Sequence, residues 1–313
     1  MRYVELINRL IQDQIRHRQN IILFGQNIGA GSCLGGLTRN LRVTESSRLI
    51  NTTNAENTLV GVGFGLMLNG ISSVFFVKQL DFVLLGIDQM VNTNNYVRLS
   101  ESRASFTIVP IVVDSGYQGI QSSYNGFSDV CSLARIPGYL INGSGDATRI
   151  IETELFRPGV RMIGVSQRLF GIEGEQFPSV RSATKNNEIF EYYDGQDLTI
   201  VCFNLSLTYG VELHKGAKDR GMSAALYSVN YVELVDWTMI DASIRVTNRL
   251  VVIDDSKTVM GLPEQLLSRL NGGSDLAFLE IIKRRGRFED TLRPSSDELS
   301  FDVEAVLEAA FRT

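Results

Sequence analysis

Histidine is almost missing. The chain of 313 residues has two, His17 and His214, and three cysteines, Cys33, Cys131 and Cys202, far apart and in no paired spacing. Zinc and iron sites are built from clustered His and Cys, and the sequence offers no such cluster. An odd, scattered set of cysteines excludes a disulfide framework and fits a reducing compartment. Ser-His or Cys-His catalysis would have to use one of the two histidines. His17 sits between Arg16 and Arg18 at a polar helix end, and His214 lies in an amphipathic segment, so both read as structural. Positive charge is not in excess either. Lys plus Arg number 30 against 35 Asp plus Glu, a net charge of −5, and the pI is about 5.3. A dedicated nucleic-acid binder usually shows a basic stripe and a high pI. Long apolar runs are missing too. The longest, Leu59–Leu68, has ten residues with Gly between them. A membrane-spanning helix needs about 18 or more. The opening Met1-Arg2-Tyr3-Val4-Glu5 turns charged at once and has no signal-peptide apolar core. The expected address is the cytoplasm, with neither nucleic acid nor membrane as partner.

What is present is ordinary globular composition, 44% hydrophobic and 21% charged, at a length that suggests about two domains. Val4, Ile7, Ile11 and Ile15 fall at helical spacing and predict an amphipathic opening helix. Strand and helix patterns then alternate. Strands are expected at Asn20–Phe24, Arg48–Asn51, Ser73–Val77, Phe106–Val113, Tyr139–Asn142 and Val160–Val165. Helices are expected at Ala55–Asn69, Asp81–Ser100, Ser128–Ala134 and Asp146–Phe156. The pattern breaks in the polar stretch Gly171–Asn187, which reads as a linker, and resumes from Leu198 to Phe311. Such alternation predicts an α/β protein of two doubly wound domains with mainly parallel sheets. Ligands of these sheets bind beyond the carboxyl ends of the strands. The loops to watch are therefore Gly25–Gly36, Asn51–Glu56 and Asp114–Phe127.

Neither a P-loop nor a GxGxxG motif follows the first strand. A metal–diphosphate site would want clustered Asp and Asn near a Gly-rich turn. Gly145-Asp146 and Asp194-Gly195 do not build one. If the ligand carries a diphosphate, another chain must hold it.

Glu56 opens a helix that is otherwise apolar for about three turns. On spacing alone it complements the helix dipole, with Asn54 as a plausible N-cap. A carboxylate entering a buried helix could also hold a protonated ring nitrogen, since low dielectric strengthens that pair.

The stretch Asn51 to Gly65, with Ala55-Glu56 and its Gly-punctuated apolar helix, resembles the pyrimidine-binding region of thiamine-diphosphate enzymes. It is similar to transketolases and to the beta subunits of 2-oxo acid dehydrogenase decarboxylase components. Further segments keep the family's order. Gly25-Gln26-Asn27-Ile28-Gly29 resembles its Gly-Glu-Asp-Val-Gly turn, and Leu80-Asp81-Phe82 with Ile87-Asp88-Gln89 resembles its aromatic strand end and following helix. Leu133 to Gly138 resembles a helix before a Pro-Gly turn, and Asp194 to Val201 and Arg249 to Asp255 resemble parts of its C-terminal domain. The resemblance implies a pyrimidine-binding domain at 1–170, a linker at 171–194 and a transketolase-type C-terminal domain at 195–313.

Carried onto this sequence, it implies that Glu56 holds the pyrimidine ring nitrogen of thiamine diphosphate, that Phe82 stacks on the ring, and that Gln26 and Asn54 line the cofactor. Gln26 and Asn27 stand where the family usually has acids, and its substrate-side histidine is absent. That place falls to Tyr124 or Asn125, beside Gln121, and neither can act as an imidazolium. The implied partner is an alpha-type subunit carrying the diphosphate and Mg²⁺, in an α2β2 heterotetramer acting on a small carbonyl substrate. The implied chemistry is transketolase-like transfer of a carbanion equivalent. An acyl-transferring decarboxylase or acyloin-type subunit comes second. A non-catalytic relative that kept the fold is the rival of another class.

Overall fold

The computed structural model describes residues 1–99, 102–116, 119, 122–258, 261–270, 276–284 and 299–312. Its first half runs α1 (Tyr3–Ile15), β1 (Ile21–Gly25), β2 (Arg48–Asn51), α2 (Glu56–Leu68), β3 (Ser72–Val77), α3 (Leu80–Val83), α4 (Ile87–Val97), β4 (Ser105–Val112), α5 (Phe127–Ala134), β5 (Gly138–Ile141), α6 (Ser144–Glu154) and β6 (Gly159–Ser166). The second half runs β7 (Ser182–Ala183), β8 (Ile189–Tyr193), β9 (Leu198–Phe203), α7 (Leu207–Asp219), β10 (Ala224–Val229), α8 (Thr238–Thr247), β11 (Arg249–Asp254), α9 (Leu262–Arg269), β12 (Phe278–Lys283) and α10 (Val303–Phe311).

Two six-stranded sheets result, ordered β2-β1-β3-β4-β6-β5 and β12-β11-β9-β10-β8-β7. The first is parallel throughout. Alternate residues of its strands feed opposite layers, as the period of two demands. Leu23, Val74 and Phe76 meet Ile7 and Ile11 of α1 in one core. Phe24, Phe75 and Val77 meet Val60 and Phe64 of α2 in the other. The second sheet repeats this, with Leu213 of α7 and Leu307 of α10 in the first core and Ile240 of α8 and Leu266 of α9 in the second. This is the doubly wound α/β architecture expected from the alternation.

Two local expectations change. The segment 171–194, expected as linker, supplies β7 and β8, which pair antiparallel and attach to β10. β7, two residues at the sheet edge, is too short to leave a pattern, whereas β8 lies between β10 and β7 and buries Ile189, Phe190 and Tyr192. The long helix expected over 81–100 is broken into α3, a 3₁₀ turn at Leu84–Gly86, and α4. Gly86 sits at the break, packed on Val60 and near the Glu56 carbonyl, where a side chain has no room.

α2 is apolar all round and so needs cover on two sides. Its inner face, Val60, Gly63, Phe64 and Met67, is buried. Gly63 is there because the Phe106 ring fills the space of a Cβ. Its outer face leaves Val62 and Leu68 exposed, continuing into Leu84, Leu85 (58%), Tyr96 (80%) and Leu99 (83%). Among the described residues, no helix is long and apolar enough to cross a membrane.

Candidate active site at the facing strand ends

In the first sheet the chain leaves β1 for β2 on one side and returns to β3 on the other, so the crevice beside β1 is a topological switch point. The expected residues follow the carboxyl ends that flank it. Gln26 sits half-buried in the turn after β1. Gly25 ends that strand at φ +149°, against the Phe76 carbonyl, a place closed to any side chain. The Gly29 amide donates to Asn51 Oδ1 at 3.4 Å, which ties the turn to the end of β2.

Glu56 starts α2 five residues past β2 and is only 8% exposed. Among the described residues, none makes a hydrogen bond or ion pair with its carboxylate. The Glu56 oxygens are not among the fully buried, unpartnered polar atoms, so the carboxylate keeps contact with solvent at the crevice. An acid left without an internal partner, next to the positive end of a helix, suits an outside donor. The helix does not use Asn54 as its cap: the cap position is Ala55, with no side-chain bond, and Asn54 lies exposed one residue earlier. Phe82 is half-buried on α3, after β3, and packs on the second core.

Beyond β4 the loop turns towards the second sheet. The Tyr124 amide donates to Asp81 Oδ1 at 3.2 Å and its hydroxyl donates to Asp129 Oδ2 at 3.4 Å. Burial first, and Asp129 next, push the Tyr124 phenol above its ordinary value, so it stays a proton donor. Asn125 behaves differently. It is fully buried, its Nδ2 donates to the Asp255 carbonyl at 2.8 Å, and its Oδ1 accepts from Asn204 Nδ2 at 2.8 Å. Both ends of the amide are engaged, which makes it a strut between the sheets. Gln121 lies outside the described residues.

Sequence reasoning missed the seam itself. Asp114 follows β4, Arg168 follows β6, Asn204 follows β9 and Asp255 follows β11, and all four meet. Arg168 Nε lies 3.5 Å from Asp114 Oδ2, and its NH2 lies 3.7 Å from Asp255 Oδ2. Burial pushes the Asp114 carboxyl up, Arg168 opposes this, and Asp255 adds to it. The visible signal was acids placed directly after β-branched strands, Val112-Val113-Asp114 and Ile253-Asp254-Asp255. The carboxyl ends of the two sheets thus face each other across a buried polar layer. Glu56, Gln26 and Phe82 lie at the same edge of the first sheet. A groove of about 570 Å³ opens elsewhere, between α5 and α9, walled by Asp129, Leu133, Leu262 and Glu264. None of Glu56, Gln26 or Phe82 lines it. Among the described residues, no group of three or more His, Cys, Asp or Glu could hold a metal.

Residues 191–299 match the family described as transketolase, C-terminal domain. The pyruvate dehydrogenase E1 component subunit beta of Staphylococcus aureus is 22% identical over 308 residues, covering 94% of this chain and 91% of its own. Over nearly all of its length the chain is thus similar to such a beta subunit, and its second half matches the transketolase C-terminal domain. A mitochondrial beta-1 subunit of the same component from Oryza sativa subsp. japonica is 21% identical, covering 80% of this chain and 69% of its own. Among solved structures, a split gene transketolase, captured as an inactive beta4 tetramer, superposes with a TM-score of 0.72 at 16% identity, over 98% of this chain and 95% of its own. That likeness supports the two-sheet fold of this chain.

Proposed function

We propose that this beta-type chain is the pyrimidine-binding half of a split thiamine-diphosphate enzyme, completed by an alpha-type subunit, and that the complex cleaves a bond next to a carbonyl and transfers the carbanion equivalent, as a transketolase does. The observation that carries the reading is Glu56, a largely buried glutamate at a helix start on the switch-point edge, whose carboxylate oxygens bond to no described residue and stay open to an outside donor. Glu56 would hold a proton at the pyrimidine ring nitrogen, Phe82 would lie against the ring, and Gln26 and Asn54 would border it. The cofactor, when bound, supplies the electron sink for the carbanion equivalent. Tyr124 would face the substrate as a neutral hydrogen-bond donor. The diphosphate and Mg²⁺ would be held by the alpha-type subunit. An acyl-transferring decarboxylase is the second reading, favoured by the long curated matches to pyruvate dehydrogenase beta subunits.

Two experiments test the split. In calorimetry, thiamine diphosphate with Mg²⁺ should bind the isolated chain weakly or not at all, because its strongest handles belong to the partner. Tight, Mg²⁺-dependent binding to the chain alone would contradict the model. In sedimentation, the chain should self-associate or form an α2β2 complex through the apolar face from Val62 to Leu99. Obligate interfaces of this kind usually bury more than about 2,000 Å². A monomer indifferent to any alpha-type chain would count against it.

A further inference from the structure

Tyr124 sits in a loop with no ladder of its own, yet the segment 122–126 is held from both sheets. From the first, Asp81 Oδ1 accepts the amides of Ser123 and Tyr124, each at 3.2 Å. Ser122 Oγ also donates to Gln79 Oε1 at 2.7 Å. From the second, the Lys257 amide donates to the Asn125 carbonyl at 2.8 Å, and Lys257 Nζ donates to the Ser123 carbonyl at 3.0 Å. Two consecutive amides on one carboxylate oxygen form a charge-assisted tether stronger than a neutral one. Asp81 is placed for this by the first turn of α3, directly after β3. Gly126 completes the arrangement, because the Tyr124 ring occupies the space its Cβ would need.

We propose that Asp81 is a positioning residue that sets the Ser123–Asn125 segment beyond the carboxyl ends of β3 and β4, and through it the place of the Tyr124 ring, whose hydroxyl rests on Asp129. The consequence for substrate handling rests on the reading of Tyr124 given above; the tether does not.

The direct test is amide hydrogen exchange on the full chain. Asp81→Ala should speed exchange at Ser123 and Tyr124 on the order of tenfold or more, since each amide loses a bond to a charged acceptor. Asp81→Asn keeps an acceptor oxygen and should restore most of the protection. Amides of β4 and β9 should not change, which separates local release from general unfolding. In the enzyme reconstituted with its alpha-type partner, and with pyruvate as the probe, Asp81→Ala should raise KM while exchange of the cofactor's thiazolium proton stays at the wild-type rate. Unchanged exchange at Ser123 and Tyr124 in Asp81→Ala, or equal losses in the Ala and Asn variants, would overturn the proposal. Faster exchange in Asp81→Ala, with a pyruvate KM indifferent to Tyr124→Phe, would uphold the tether and remove Tyr124 from the substrate.

Discussion

Glu56→Gln should lower turnover of the reconstituted enzyme by about 10²-fold or more while leaving the chain folded. The size follows from the role: acid–base steps set by one positioned group typically contribute about 10²–10⁴-fold. The folding half follows from the structure. Glu56 is buried but bonds to no described residue, so glutamine removes no internal contact. What is lost is the helix-end charge, at most about 1 kcal/mol. Turnover and thermal midpoint measured on the same preparations check this. A variant that unfolds would show that the carboxylate is structural, and a variant with full turnover would place it outside the chemistry.

Arg161→Ala should be the most destabilising single change considered, by about 3–5 kcal/mol, the usual result of breaking a buried ion pair from one side. Arg161 lies in β6, with a side chain 4% exposed. Its NH1 donates to the Glu154 carbonyl at 2.9 Å and the Arg157 carbonyl at 2.6 Å, and NH2 donates to the Pro158 carbonyl at 2.8 Å. The Glu154 carboxylate lies 3.8 Å away and is equally buried. The guanidinium thus ties the end of α6, at the Glu154 carbonyl, to the turn Arg157–Pro158 that leads into β6. Without it, these carbonyls lose a donor, and the buried Glu154 carboxylate keeps only the exposed Arg157, whose NH1 lies 3.2 Å from Oε1. Arg161→Met combined with Glu154→Gln should cost less than the sum of the two single changes, because the second removes a buried charge that would be left with only an exposed partner. Urea midpoints of the three variants measure this coupling. Additive losses would mean the pair does not act as a unit.

These two residues also mark what the sequence could and could not convey. The α/β alternation was legible because the strands of the first sheet other than the edge strand β2 are buried on both faces and read as apolar runs. Glu56 was legible because a single acid opens an apolar helix. The break at Gly86 was not: helical spacing continues through it, and only contact with α2 forbids a side chain there. β7 was missed because a two-residue edge strand leaves no apolar pattern, and β8 because its five residues follow the polar run Thr184–Glu188 and are not set off from it. The seam of Asp114, Asn125, Arg168, Asn204 and Asp255 spans both halves of the chain, and no local pattern relates residues that meet only after both sheets have formed. Arg161 did leave a trace, a lone charge inside the strand run Val160–Val165, which is the usual sign of a buried charge with a dedicated partner.

The most direct test of the central claim is the exchange rate of the thiazolium carbon proton of thiamine diphosphate, measured with the alpha-type partner present, for wild type and Glu56→Gln. The rate reports on the cofactor before any substrate is bound, so it is blind to Tyr124 and to the identity of donor and acceptor. If Glu56 is the pyrimidine-side acid of this enzyme, exchange should slow by about 10²-fold or more in the variant, in parallel with turnover. Equal rates in the two proteins would remove Glu56 from the mechanism and leave the chain as a scaffold that kept the fold.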